Sequence, residues 1–176
     1  WSAPLLATAF HYDDQTPGMA IDLAALPPLA QTTLTIQPVT ELAELAEWTD
    51  TFLRGYGIPA AIAPDFVALA SGMGIDLPFR YYLGRQAGKA VATSTLLLGA
   101  GVAGIYSVAT VSEARGQGIG SAMTLFPLYE ARNLGYRVGV LQSSDMGFRV
   151  YQRLGFAQYC RMDHFYWAAP RGDDSQ

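Results

Sequence analysis

One feature constrains this chain's fold more than any other: an extended apolar run that ends in Arg115-Gly116-Gln117-Gly118-Ile119-Gly120 and then gives way to helical spacing. Without Cβ atoms, Gly116, Gly118 and Gly120 allow the backbone to curl so that successive N–H groups face one point. The dipole of the following helix adds positive potential there. Strand, glycine turn and helix together predict an anion site. Arg115 adds a permanent charge and a fork of donors suited to phosphate oxygens. The glycines alone equally suit tight strand-to-helix packing, and it is Arg115 and the order of surrounding elements that favour the anion.

Upstream, Leu34-Thr35-Ile36-Gln37 alternates as a strand. Thr40 then precedes Leu42, Leu45, Trp48, Phe52 and Leu53 at helical spacing, and Gly55, Gly57 and Pro59 end that helix. Pro64-Asp65 opens a second helix that reaches about Ser71. Three stretches rich in Val, Tyr, Thr and Leu (79–84, 89–98 and 102–111) are separated by Gln86-Ala87-Gly88 and Gly99-Ala100-Gly101, which predicts an antiparallel meander. After the glycine turn, Ile119, Met123, Phe126, Leu128, Ala131 and Leu134 mark a helix that Gly135 closes, with Pro127 expected to kink or interrupt it. A strand at 138–141, a helix at 145–154 capped by Asp145, and a strand at 159–167 complete the order β-α-α-β-β-β-α-β-α-β. Residues 1–31, which carry Pro4, Pro17, Gly18, Pro27 and Pro28, read as an N-terminal appendage of turns and strands. Residues 32–170 read as the domain and 171–176 as a polar, disordered tail. The start at Trp1, without a methionine, suggests part of a longer product.

With 51% hydrophobic and 15% charged residues, the 176-residue chain has apolar surface enough to fold. Its net charge of −4 and its scattered basic residues supply no footprint for nucleic acid. A single cysteine, Cys160, excludes an intrachain disulfide and multi-cysteine metal sites, and no metal is expected. Neither a membrane span nor a signal peptide is supported, so a cytoplasmic protein is expected.

A second motif, Tyr151-Gln152-Arg153-Leu154-Gly155-Phe156, follows the predicted 138–141 strand. Together the two motifs resemble the signatures of the GNAT superfamily of N-acetyltransferases, Arg/Gln-x-x-Gly-x-Gly/Ala and Tyr-x-x-x-Gly-Phe, and the resemblance covers about residues 33–168. It implies an α/β fold with a mixed, mostly antiparallel sheet flanked by helices. It also implies acetyl-coenzyme A (acetyl-CoA) as co-substrate in a split between two central strands, and transfer of the acetyl group to a primary amine of a small molecule or peptide. By position, the backbone of Val108, Ala109 and Thr110 would hold the pantetheine arm as a partial extra strand. Arg115, Gly116, Gln117, Gly118, Ile119, Gly120 and Ser121 would wrap the pyrophosphate. Ser144 stands where the family often has asparagine. Tyr151 matches the tyrosine that protonates the departing thiolate, a task within reach of a phenol of ordinary pKa about 10.

No general base is assigned. The central strand 104–110 contains no acid, and Glu113 reads as a solvated surface charge. His11 and His164 read as structural or surface residues, and Cys160 as a small packing residue. Tyr81, Tyr82 and Tyr106 read as strand packing that could also line an acceptor pocket. The run from Ala9 to Leu23 resembles the 155–166 ending and suggests the last strand of a degenerate preceding GNAT-like lobe. A non-catalytic acyl-CoA binding or sensing module is the alternative. A dinucleotide-binding oxidoreductase is disfavoured, since the helix after the glycines leads to Arg137 and not to an acid. The acceptor is not specified, and a homodimer is allowed.

Overall fold

The computed structural model describes residues 8, 10–29 and 32–168. Its seven strands form one sheet in the order β2-β3-β4-β5-β6-β1-β7. These are β1 (Phe10–Asp22), β2 (Thr35–Pro38), β3 (Phe79–Gln86), β4 (Lys89–Gly99), β5 (Val102–Thr110), β6 (Val138–Gln142) and β7 (Ala157–Trp167). Four helices flank it: α1 (Glu44–Tyr56), α2 (Ala63–Met73), α3 (Ile119–Asn133) and α4 (Asp145–Arg153). The fold is mixed and mostly antiparallel, and from β2 onward the element order is the one read from the sequence. The segment before residue 32 supplies β1, which lies between β6 and β7 and is antiparallel to both.

The meander is closed by two-residue loops, with Gln86 paired to Lys89 and Gly99 to Val102. Both loops use alanine then glycine at positive φ (Ala87 +46°, Gly88 +79°; Ala100 +49°, Gly101 +77°). Two such residues fit the right-handed strand twist, at a cost for the alanines that pairing offsets.

One core lies between the sheet and α3. Leu96, Ile105 and Leu141 from the strands meet Met123 and Leu128 from the helix, joined by Met19 and Ile21 of β1 and by Leu23 just beyond it. A second lies under α1 and α2, where Leu45 and Trp48 cover Tyr81 and Leu83. Tyr81 and Tyr82 are thus fully enclosed packing residues on opposite faces, while Tyr106 is 40% exposed. Helix α3 runs unbroken through Pro127. The expected interruption is absent because the residues around the proline, Met123, Thr124, Leu125, Leu128 and Ala131, are buried, and that packing outweighs one lost backbone hydrogen bond. Helix α1 begins at Glu44, whose carboxylate reaches back to accept from the Thr40 N–H (2.8 Å) and the Glu41 N–H (3.2 Å). The Thr40 N–H is the main reason that carboxyl titrates below its usual range.

Glu130 of α3 ties the helix to β3. It accepts from the Tyr82 hydroxyl at 2.8 Å and pairs with the Arg80 guanidinium. Burial, and then the bond to Glu130, push the Tyr82 phenol far above its ordinary pKa. Replacing Glu130 with alanine strands a buried hydroxyl and an arginine together. We expect a loss of about 2 kcal/mol in urea denaturation, and a smaller loss for Glu130→Gln, which keeps an acceptor for Tyr82.

Candidate active site

Strand β5 runs parallel to β6 over Ala103–Ile105 against Gly139–Leu141. The ladder then ends for a local reason. Between the pairs Thr95–Tyr106 and Thr93–Ala109, β5 carries one residue more than β4, a β-bulge at Ser107 and Val108. Ser107 adopts φ +52°, and the Thr93 hydroxyl donates to its carbonyl at 2.9 Å. The bulge turns β5 away from β6 and leaves backbone at 108–110 facing an open wedge.

A cleft of about 610 Å³ fills the wedge, within the range of small-molecule sites. Val108, Ala109 and Thr110 form one wall, Arg115, Gly116, Gly118, Ile119, Gly120 and Ser121 the floor, and Ser144 and Tyr151 the opposite wall. The structure thus gathers every sequence-predicted site residue into one cleft except Gln117, whose side-chain carbonyl accepts from Gln86 at 3.0 Å.

The glycines have distinct reasons to be glycine. Gly116 and Gly118 both lie at φ +76°, and Gly118 is the residue before α3. Those two allow the curl. Gly120 lies inside the helix, and a Cβ built there meets no protein atom within 4 Å. Nothing in the protein demands a glycine at 120; its bare backbone keeps the floor open. Arg115 is more structural than its sequence suggests. Its Nε donates to the Thr110 carbonyl (3.1 Å) and its Nη2 to the Gly55 carbonyl (2.7 Å), so it straps the end of β5 to the last turn of α1 while its charge borders the cleft.

Tyr151 projects from α4 into the cleft. Its ring packs edge-on against Phe156, with centroids 5.9 Å apart. On its other side a Cβ at Gly147 would stand 2.7 Å from the ring, so a glycine one turn back is what lets the ring lie along the helix. Burial and the neighbouring Tyr56 push the phenol up to about 12, against a smaller pull from the Thr124 hydroxyl. Tyr151 therefore keeps its proton throughout the neutral range. Ser144, not Asp145, caps α4, its Oγ accepting from the Gly147 N–H at 3.2 Å. Serine stands at the residue before the helix, where a side-chain oxygen reaches the third N–H beyond, and Asp145 is already the first helical residue.

Sequence reasoning missed Gly55, Tyr56, Ala114, Gln142, Met146, Gly147, Val150 and Arg153 in the lining. For Gly147 and Val150 the signal was available, since they share a helix face with Tyr151. Gly55 carries no sequence signal, because its reason is a Cβ clash at 2.7 Å with Ala109 across the α1–β5 contact. Glu113 is exposed and pairs with Arg54 at 3.1 Å. His11 stacks on Tyr166, and His164 Nε2 lies 2.7 Å from the Thr16 hydroxyl. Cys160 is exposed, its Sγ resting in the space a Gly18 side chain would need. Among the described residues no His, Cys, Asp and Glu group could hold a metal, and no helix is long and apolar enough to cross a membrane.

The sequence profile of the acetyltransferase (GNAT) family matches residues 43–156, which takes in both helix–strand layers, the glycine turn and Tyr151. The chain belongs to the acetyltransferase (GNAT) family. None of the curated proteins matches it in sequence. Among solved structures, it is similar to a GCN5-related N-acetyltransferase from Kribbella flavida (21% identity, TM-score 0.74, covering 96% of this chain and 64% of that one). It is also similar to one from Sphaerobacter thermophilus (22% identity, TM-score 0.69, covering 92% of this chain and 54% of that one). A third, a predicted acetyltransferase with acetyl-CoA from Clostridium acetobutylicum, matches at 17% identity and TM-score 0.59, covering 72% of this chain and 91% of that one. At such identities these likenesses carry the GNAT fold. The chain spans between about half and two thirds of the length of the first two.

Proposed function

We propose that this GNAT domain transfers the acetyl group of acetyl-CoA to a primary amine of a small molecule or peptide. One observation carries the reading: a side-chain-free floor at Gly120, at the N-terminus of α3, opens onto the unpaired edge of a bulged strand, with the Tyr151 phenol facing the same cleft. This arrangement fits a long ligand with an anionic middle and amide-bearing arm. Backbone N–H groups of residues 116–121 receive the pyrophosphate, and the charge of Arg115 adds to them. The backbone of 108–110 holds the pantetheine amides, with Ser144 beside it. Acetyl-CoA, when bound, supplies an acetyl group activated as a thioester. Tyr151, pushed up to about 12, gives its proton to the departing thiolate, and the walls hold donor and acceptor together.

None of the described lining residues is a carboxylate. An acceptor must then arrive with its amine already neutral, or lose its proton to water. The expected profile of kcat/KM therefore rises with pH up to the acceptor's own pKa. Because the shift on Tyr151 is upward, its proton is kept well past neutrality, so no alkaline fall follows until the pH approaches its value of about 12. A pH series with two amines of different basicity checks this: the rising limb should move with the amine.

The missing carboxylate also favours a second reading, a non-catalytic acyl-CoA sensor. A free-thiol release screen over small amines, aminoglycosides, polyamines, amino acids and peptide N-termini separates the two. Thiol released in step with an acetylated amine supports transfer, whereas binding without release across the panel supports the sensor. To the same reading belong a cytoplasmic location, where the exposed Cys160 thiol stays reduced, and a homodimer.

A further inference from the structure

The two edges of the sheet are built differently. At one end β2 spans four residues and finishes on Pro38, which has no N–H to offer, the usual way of blunting an edge. At the other end β7 spans eleven residues, Ala157–Trp167, without glycine or proline, and among the described residues no strand pairs with its outer side. Its side chains are mostly open to solvent, including Tyr159 (78%) and Trp167 (58%).

Charges in the middle of an edge strand often deter pairing. In β7 their order is self-complementary. Between the pairs Gly18–Cys160 and Met19–Gln158 the strand carries one extra residue, Tyr159, so regular alternation runs from Cys160 onward, and there alternate residues on one face read Arg161, Asp163, Phe165. Gln15 of β1 bonds to both charged side chains, donating to Asp163 Oδ1 at 2.7 Å and accepting from Arg161 Nη1 at 3.1 Å, which places them on one face. On the inner side, Tyr12 packs edge-on against Phe165 with centroids 5.6 Å apart.

We propose that β7 pairs antiparallel with β7 of a second copy of this chain, about a two-fold axis through Met162 perpendicular to the sheet. In that register Arg161 faces the partner's Asp163 on both sides of the axis, so two opposite-charge pairs form at once. A perpendicular two-fold keeps each residue on its own face, so the register can slip only by two residues. A slip one way sets Arg161 against the partner's Arg161. A slip the other way sets Asp163 against the partner's Asp163. Charge thus selects one register, and the result is a continuous fourteen-stranded sheet with an isologous interface.

Charge reversal tests both partner and register, read by sedimentation equilibrium with circular dichroism to verify folding. The wild-type chain should dimerise. Arg161→Asp and Asp163→Arg should each weaken the dimer roughly thirtyfold, since two like-charge pairs replace two opposite ones. An equimolar mixture of the two variants should recover a tight heterodimer, because every pair is again opposite in sign. Both side chains are exposed, so the fold should be unchanged. A wild-type chain that stays monomeric at its highest soluble concentration overturns the proposal. So does a dimer indifferent to either reversal, or a mixture no tighter than the variants alone.

Discussion

Gly120→Val leaves the chain folded and lowers its affinity for acetyl-CoA by roughly a hundredfold, a loss equal to one or two charge-assisted hydrogen bonds. The two halves of this expectation rest on the same observation. A Cβ at 120 meets no protein atom within 4 Å, and its backbone is helical, so the protein can accept a side chain there. A helix gains slightly when glycine is replaced, because glycine loses most entropy on folding. What the valine fills is the space in which an anion must approach the helix N-terminus. Gly118→Val is the instructive contrast. At φ +76° a β-branched residue is strained, so that variant should lose stability as well as affinity. Calorimetric titration with acetyl-CoA, beside a thermal melt of each variant, distinguishes them. An unchanged affinity for Gly120→Val would place the anion elsewhere.

Tyr151→Phe should lower kcat about a hundredfold while KM for acetyl-CoA stays within a few-fold of wild type. Phenylalanine keeps the ring against Phe156 and over Gly147, so the cleft wall survives and only the hydroxyl is lost. Since the phenol is pushed up to about 12, wild-type Tyr151 remains a donor over the whole assay range, and the deficit of the variant should be nearly independent of pH below about 10. A deficit confined to KM would assign Tyr151 to packing. The same upward shift bears on stability. A phenol whose folded pKa lies above its unfolded value of about 10 contributes stability that is complete below pH 10 and is lost as pH rises toward 12.

What could be read before the structure was whatever rests on local chemistry. The meander followed from alternation and two glycine-bearing turns, and the floor of the cleft followed from Gly116, Gly118 and Gly120. Tyr151 was singled out by the resemblance of Tyr151-Gln152-Arg153-Leu154-Gly155-Phe156 to the family signature, not by local chemistry. The bulge that opens the cleft did not. Ser107 carries no residue-type signal for a positive φ, which is imposed by its neighbours through the Thr93 hydroxyl. Nor does the place of β1 between β6 and β7 follow from sequence, since it depends on pairing Gly18 with Gln142 and with Cys160, far away along the chain. Pro127 misled for the converse reason: helix α3 is held by burial against the sheet, which overrides the local preference. Arg115 was read as a phosphate ligand from its charge, yet two of its donors serve main-chain carbonyls, and only coordinates show how a side chain divides its bonds.

The central claim is that the cleft beneath the β5 bulge holds acetyl-CoA, and a thermal melt with and without that ligand tests it most directly. At about a hundred times its dissociation constant, a ligand specific for the folded chain adds about 2.7 kcal/mol, which should raise Tm by roughly 5–10 °C for a domain of this size. No rise in Tm at millimolar acetyl-CoA would contradict the account.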